Sequence, residues 1–127
     1  MSSKCYRRLA LVAAFIVVPL LVAGCASSKT MQLANKGFSH IEKGELAEAE
    51  RVLTESLQED PNNAYAILNM GTVYQRTGRF NEAREMFEKV ISMNATQNPT
   101  KRSKFIDDSL NLKEIAEVNL KTLPPRK

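Results

Sequence analysis

The sequence predicts an all-α protein, a short α-solenoid of two helical hairpins closed by a further helix. Residues 30–63 align without a gap with residues 64–97, at an offset of 34 residues. A constant period of this length indicates stacked copies of one structural unit. Apolar residues recur at three- and four-residue steps, as on one face of a helix, and no run alternates apolar and polar residues as a strand would.

The two copies agree at positions whose size matters for packing. The matched pairs are Asn35 and Asn69, Gly37 and Gly71, Gly44 and Gly78, Leu46 and Phe80, Glu48 and Glu82, Ala49 and Ala83, Leu53 and Phe87, and Leu57 and Ile91. Gly37 and Gly71, together with Ala49 and Ala83, are small residues at points where two helices must cross closely. Gly44 and Gly78 suit the positive φ that follows the C-terminal end of a helix.

The pattern predicts five helices, at about residues 31–43, 46–59, 64–77, 80–93 and 106–122. Apolar stripes define the second and fourth helices, and Pro61 ends the first copy. Residues 95–103 are polar and predict a loop. In the last helix one broad face holds Leu112, Ile115, Ala116, Leu120 and Leu123. We expect Asp107 and Asp108 in its first turn, and Pro124-Pro125 after its end.

The repeated residues resemble the tetratricopeptide repeat (TPR), a helix–turn–helix unit of the same period. The second copy carries the clearer match in Asn69-Met70-Gly71, Tyr74, Gly78-Arg79-Phe80, Ala83 and Phe87. The first copy keeps Gly37, Gly44, Ala49 and the closing Asp60-Pro61-Asn62-Asn63. The resemblance implies a concave groove lined by the first helix of each repeat, which suits an extended or helical peptide.

Mapped onto this sequence, the resemblance predicts eight peptide-binding residues. They are Asn35, Phe38, Ile41, Tyr65, Leu68, Asn69, Thr72 and Arg76. Phe38 and Tyr65 are the expected anchors if their rings are exposed, and core residues if they pack under a neighbouring helix. Asn35 and Asn69 either bond the backbone of a ligand or cap local backbone groups.

The first 25 residues predict export and lipidation. Lys4, Arg7 and Arg8 precede an apolar run from Leu9 to Gly24, which is the layout of a secretory signal and is short for a membrane-spanning helix. Leu21-Val22-Ala23-Gly24-Cys25 resembles the lipobox of bacterial lipoproteins, which implies acylation of Cys25 and a permanent membrane tether. A plain signal peptide or an uncleaved anchor are the alternatives. Ala26 favours the outer membrane, facing the periplasm.

These features divide the chain into four parts. Residues 1–24 are the predicted signal peptide, residues 25–29 the lipidated N-terminus and tether, residues 30–97 the two repeats, and residues 98–127 a loop, capping helix and tail. Without the leader the chain has 15 basic and 14 acidic residues, so its charge gives no argument for nucleic-acid binding. Cys5 leaves with the leader and Cys25 is acylated, which excludes a disulfide.

No motif predicts catalysis, a cofactor or a metal site. His40 is the only histidine, and a packing role is the expected one. We therefore expect a non-enzymatic, lipid-anchored periplasmic adaptor or scaffold that binds another envelope protein, such as a component of pilus, secretin or cell-wall enzyme assembly. The alternatives are a self-associating structural lipoprotein, because two and a half repeats are few for a stable solenoid, and an accessory subunit of an envelope enzyme.

Overall fold

A computed structural model describes residues 29–101 and 109–126, and these residues form five helices without a strand. Helix α1 covers residues 29–43, α2 is Leu46–Glu59, α3 is Ala64–Arg76, α4 is Phe80–Ser92 and α5 is Leu112–Thr122. The predicted fold is confirmed. The predicted lipidation site Cys25 and the predicted leader lie outside the described residues. No helix among the described residues has the length and apolarity that crossing a membrane requires.

Each hairpin turns at a glycine in the left-handed region. Gly44 and Gly78 both have a φ of 79°. In the first turn the amide of Glu45 donates to the carbonyl of His40, and the amide of Gly44 donates to that of Ile41. In the second turn the amide of Arg79 donates to the carbonyl of Tyr74, and the amide of Gly78 donates to that of Gln75. These two bonds satisfy carbonyls at the end of the helix, so the chain can reverse direction immediately after it.

Two other glycines let the helices of each hairpin approach closely. A β-carbon at Gly37 would lie 2.5 Å from Cγ of Leu53, and one at Gly71 would lie 2.5 Å from Cε1 of Phe87. Leu53 and Phe87 have no exposed surface. The matched glycines are therefore contact points of α1 with α2 and of α3 with α4, as the repeat predicted.

The helices alternate in direction, so the molecule has two ends. The proximal end holds Lys29, residues 59–65, residues 93–101 and residues 109–113. Here Lys29 pairs with Glu59 at 2.6 Å, and Nζ of Lys89 donates to the carbonyl of Pro61 at 2.9 Å. The distal end holds the two glycine turns and Thr122. Helices α1, α3 and α5 form one layer, and α2 and α4 form the other.

The last helix begins later than predicted. Residues 109–111 are not helical, and Asn111 caps α5: its side chain accepts from the amide of Glu114, whose carboxylate accepts from the amide of Asn111. This reciprocal capping box fixes the start of the helix at Leu112. Asp107 and Asp108 lie outside the described residues, and the expectation that the helix starts at 106 is wrong. The predicted apolar face is correct, since Leu112, Ile115, Ala116 and Leu123 are buried.

The core lies between the two layers. Its residues come from all five helices and include Ala34, Val73, Phe87 and Leu112. Phe80 lies on the apolar stripe predicted for α4, but it is not buried: it stays 40% exposed at the distal end. Ala95, placed by the sequence in a polar loop, is buried instead.

Candidate peptide-binding face

The eight predicted groove residues lie on α1 and α3, the layer that also contains α5, and they differ sharply in exposure. Ile41, Tyr65, Leu68 and Asn69 are each at most 4% exposed. Asn35, Phe38 and Thr72 are half-buried, and Arg76 is exposed. All eight residues therefore lie on one pair of helices, but four of them offer almost no surface to a ligand, and the groove stays a prediction.

A segment of the chain itself crosses the proximal end of this face. We call residues 97–101 the crossing segment. The hydroxyl of Tyr65 donates to the carbonyl of Lys101 at 2.9 Å, and the hydroxyl of Thr100 lies 3.1 Å from Sδ of Met31. The carbonyl of Gln97 accepts from the amide of Leu112, which attaches the segment to the start of α5. The linker from α4 to α5 thus extends across α3 to α1.

Tyr65 is consequently a core residue and not an exposed anchor. Only 3% of it is exposed, and its ring lies 6.4 Å from that of Phe38, centroid to centroid. Burial raises the pKa of Tyr65 to about 12, and the nearby Asn69 side chain and Lys101 backbone act more weakly in the opposite direction. Of the two roles that the sequence allowed for Tyr65, exposed anchor or core residue, the structure therefore shows the second. Phe38 is intermediate, packed against the core on one side.

The two equivalent asparagines each keep one buried polar atom without a hydrogen bond. Oδ1 of Asn35 has no hydrogen-bond partner among the residues that the structure describes, and Nδ2 of Asn69 lies beside the Tyr65 hydroxyl without forming a well-aligned hydrogen bond. Asn69 as a whole is 4% exposed. A buried polar atom left unpaired costs about 1–3 kcal/mol. Both repeats therefore keep an incompletely satisfied side-chain amide at the same position, and the choice between a ligand-binding and a local capping role stays a prediction.

The distal end of the face is held together by side chains of α3. Nη1 of Arg76 donates to the carbonyl of Ile41 at 2.6 Å, where it satisfies one of the last carbonyls of α1. Nε2 of Gln75 donates to the hydroxyl of Thr122 at 2.9 Å, which ties α3 to the end of α5. Between these contacts, the half-buried Thr72 and Phe38 form the part of the face that is open to solvent.

His40 lies at the first glycine turn. Its Nδ1 lies 2.6 Å from the carboxylate of Glu45 across that turn. No group of three residues that could hold a metal ion occurs within residues 29–101 and 109–126. The geometry gives His40 a role in fastening the turn, in agreement with its expected packing role.

A cleft of about 590 Å³ lies at the distal end, lined by Gly78–Glu82 and the tail prolines Pro124 and Pro125. Two arginines beside it contact other parts of the chain, although Nη2 of Arg79 and Nε of Arg84 lack a well-aligned hydrogen bond among the described residues. Arg79 pairs with Glu50 at 2.7 Å and lies over the ring of Tyr74, and Arg84 donates to the carbonyl of Pro124. This cleft is therefore a seam between the C-terminal tail and α4.

Sequence reasoning missed the crossing segment, although one signal was available. The first repeat passes to the second through the short loop of residues 60–63, whereas residues 93–111 separate α4 from α5. A linker of that length inside a compact domain usually has a function of its own or packs on the surface. The role of Arg76 as a tie to α1 was also missed, because no periodic pattern reveals it.

The family comparison agrees with this architecture. Residues 40–99 match the family model described as tetratricopeptide repeat, a span that includes α2, α3, α4 and the end of α1. No curated protein and no solved structure matches the chain significantly. Residues 40–99 are therefore similar to tetratricopeptide repeats, a class of modules that generally mediate protein–protein interaction and are generally non-catalytic. Asn35 and Phe38 lie outside the matched span.

Proposed function

We propose that this chain is a non-enzymatic, lipid-anchored adaptor of the bacterial envelope whose α1–α3 face binds a segment of another protein. The observation that carries the binding role is the pair of unbonded amide atoms on Asn35 and Asn69. One is an acceptor and the other a donor, which together complement the N–H and C=O groups of a peptide backbone. Tetratricopeptide repeats over residues 40–99 support a protein partner.

Binding requires the face to open at its proximal end. The asparagine atoms are buried in the free protein, so a ligand reaches them only after a neighbouring group moves. The crossing segment can be this moving group, because its contacts with Tyr65 and Met31 are one hydrogen bond and one contact to sulfur. A single neutral hydrogen bond contributes about 0.5–1.5 kcal/mol, a small cost relative to a peptide interface.

The binding role is tested by photocross-linking in intact cells. A photoreactive side chain at Thr72 should capture a partner, whereas one at Thr54, which is exposed on α2 in the other layer, should not. Asn35→Ala combined with Asn69→Ala should reduce capture from Thr72 several-fold while the helical circular dichroism stays unchanged. Equal capture from both positions, or capture that the asparagine variants do not reduce, would contradict the proposal.

The anchor rests on the sequence of residues 21–25 and has its own test. Cys25→Ser should move the protein from the membrane fraction to the soluble fraction, and mass spectrometry of the wild-type N-terminal peptide should reveal acyl chains on Cys25. Membrane retention of Cys25→Ser would refute the lipid anchor. It would leave the peptide-binding face untouched, because the cross-linking experiment does not depend on the anchor.

A further inference from the structure

The proximal end brings together the parts of the chain closest to the proposed anchor. Besides the Lys29–Glu59 pair, Nζ of Lys113 donates to Oδ1 of Asn94 at 3.0 Å and the amide of Lys113 donates to the carbonyl of Ala95. The starts of α1, α3 and α5 and the ends of α2 and α4 therefore form one continuous surface. The distal end lies a full helix length away.

Chain length sets how far this surface can be from the lipid. Four peptide units separate Cys25 from Lys29, and an extended chain covers at most about 3.3–3.6 Å per residue. The start of α1 therefore lies within roughly 14 Å of the acylated residue. A helix rises about 1.5 Å per residue, so the end of α1 lies about 20 Å from its start. The tether holds the proximal end near the membrane and does not constrain the distal end in the same way.

The exposed side chains of the proximal end suit a headgroup layer. Met31 is 37% exposed and Met93 is 36% exposed, and they are two of the four large hydrophobic residues in the described parts of the chain that are exposed to this degree. Lys29, Lys89 and Lys101 are exposed at the same end. The ammonium groups of Lys29 and Lys89 already bond Glu59 and the carbonyl of Pro61, so their contact with phosphate would be shared with these partners. Flexible apolar side chains beside long cationic ones can bury their stems among headgroups while the ammonium groups contact phosphate.

Carboxylates at the proximal end are largely engaged within the protein. Glu59 pairs with Lys29, Asp60 accepts from the amide of Asn62, and Glu114 belongs to the capping box of α5. Glu59 is offset by Lys29, and the charges that Asp60 and Glu114 keep are balanced by Lys89, Lys101 and Lys113 at the same end. The end is therefore compatible with phosphate groups as neighbours.

We propose that the proximal end rests on the phospholipid headgroup layer and that the helices stand upright on the membrane. This inference rests on the proposed anchor at Cys25. In this orientation the α1–α3 face looks sideways, along the membrane plane. Its distal part, with Thr72, is displaced from the lipid toward the aqueous space, and a partner that approaches there reaches Asn35 and Asn69 by displacing the crossing segment along the membrane surface.

Lipid-attached fluorescence quenchers test the orientation in the full-length protein. Its two cysteines are Cys5, within the predicted leader, and Cys25, so a new cysteine gives a single labelling site in the lipidated protein. Met31→Cys and Met93→Cys report on the proximal end. Thr77→Cys and Asn81→Cys, exposed at the distal end, are matched controls. The protein is reconstituted in vesicles of phosphatidylethanolamine and phosphatidylglycerol with a headgroup-attached quencher.

The orientation predicts several-fold stronger quenching at Met31→Cys and Met93→Cys than at the two distal positions. Flotation of the vesicles separates the two ways of failing. Protein that does not float with the vesicles refutes the anchor and this orientation together. Protein that floats but shows equal quenching at both ends, or stronger quenching at the distal end, overturns the orientation alone.

Discussion

The two hairpins carry the same repeat but differ in how the fold uses their first helices. On α1 the buried residues are Thr30, Ala34, Gly37 and Ile41, spaced at four, three and four positions, so a single face is covered. On α3 every residue from Ala64 to Gly71 is buried, and Val73 follows. The difference comes from position in the stack, because α3 lies between the first hairpin and α5, whereas within residues 29–101 and 109–126 α1 has neighbours on one side. Equal sequence patterns thus give unequal surfaces.

The largest expected loss of stability comes from truncating the equivalent core residues of the two hairpins. Phe87→Ala should lower the free energy of unfolding by about 3–5 kcal/mol and Leu53→Ala by about 2–5 kcal/mol. Within those ranges the phenylalanine should cost more, because it removes more apolar volume and lies in the hairpin that other helices cover. Urea unfolding followed by circular dichroism measures both. A larger loss at Leu53 would mean that the first hairpin carries more of the stability.

The glycines at the helix contacts, Gly37 and Gly71, allow a second comparison of the two hairpins. Gly71→Ala and Gly37→Ala should each cost about 1–3 kcal/mol through overpacking. Gly71 should cost more, since its β-carbon would meet both the rigid ring of Phe87 and Cβ of Met86 at 3.1 Å, whereas Gly37 meets Leu53, which can change rotamer. The matched controls are Gly44→Ala and Gly78→Ala. Both glycines have a φ of 79° with no atom near the new β-carbon, so these two losses should equal each other.

The cap of α5 tests whether this helix is what makes the second hairpin different. Asn111→Ala removes one half of the capping box and should cost about 1 kcal/mol. Hydrogen exchange should accelerate in α4 and α5 and stay unchanged in α1 and α2. Lys121→Ala, at the exposed end of the same helix, is the control. Uniform acceleration in all helices would contradict a local effect of α5 on the second hairpin.

The smallest expected effect concerns the crossing segment. Tyr65→Phe removes the bond to Lys101 and should cost about 1 kcal/mol or less. Because burial raises the Tyr65 pKa above that of the unfolded chain, its protonated phenol favours the folded state. That contribution is complete below about pH 10 and is lost as the pH rises toward 12. Spectroscopic titration of the tyrosinate should show the ionisation near pH 12 in Tyr74→Phe. In Tyr65→Phe that step should be lost, and the remaining Tyr74, whose pKa burial also raises, should ionise at lower pH.

Much of the fold was readable from the sequence because the repeat encodes local geometry. Gly44 and Gly78 mark turns that need positive φ, and Gly37 and Gly71 mark crossings that exclude a side chain. The start of α5 was misplaced because the paired acidic residues imitate a helix N-terminus. Asn111 and Glu114, which form the actual cap, have the right spacing for a capping box and were overlooked.

The sequence placed the residues of the proposed binding face on α1 and α3, but it did not predict their exposure. Periodicity placed Tyr65, Leu68 and Asn69 on one side of α3, but it carried no information about a segment arriving from residues 97–101. The unpaired amide atoms of Asn35 and Asn69 likewise become visible only when the surrounding atoms are placed. A long-range contact depends on the path of the whole chain, which no local spacing contains.

The sequence by itself determined that the chain turns at two glycines, forms paired helices of one period and carries an apolar stripe along each, since each of these depends on residues a few positions apart. Only the tertiary structure decided which helix is enclosed, which of the eight predicted residues keep a surface, and where the linker lies. Burial is a sum over neighbours from distant parts of the chain. Identical repeat positions therefore diverge once one hairpin has a neighbour that the other lacks.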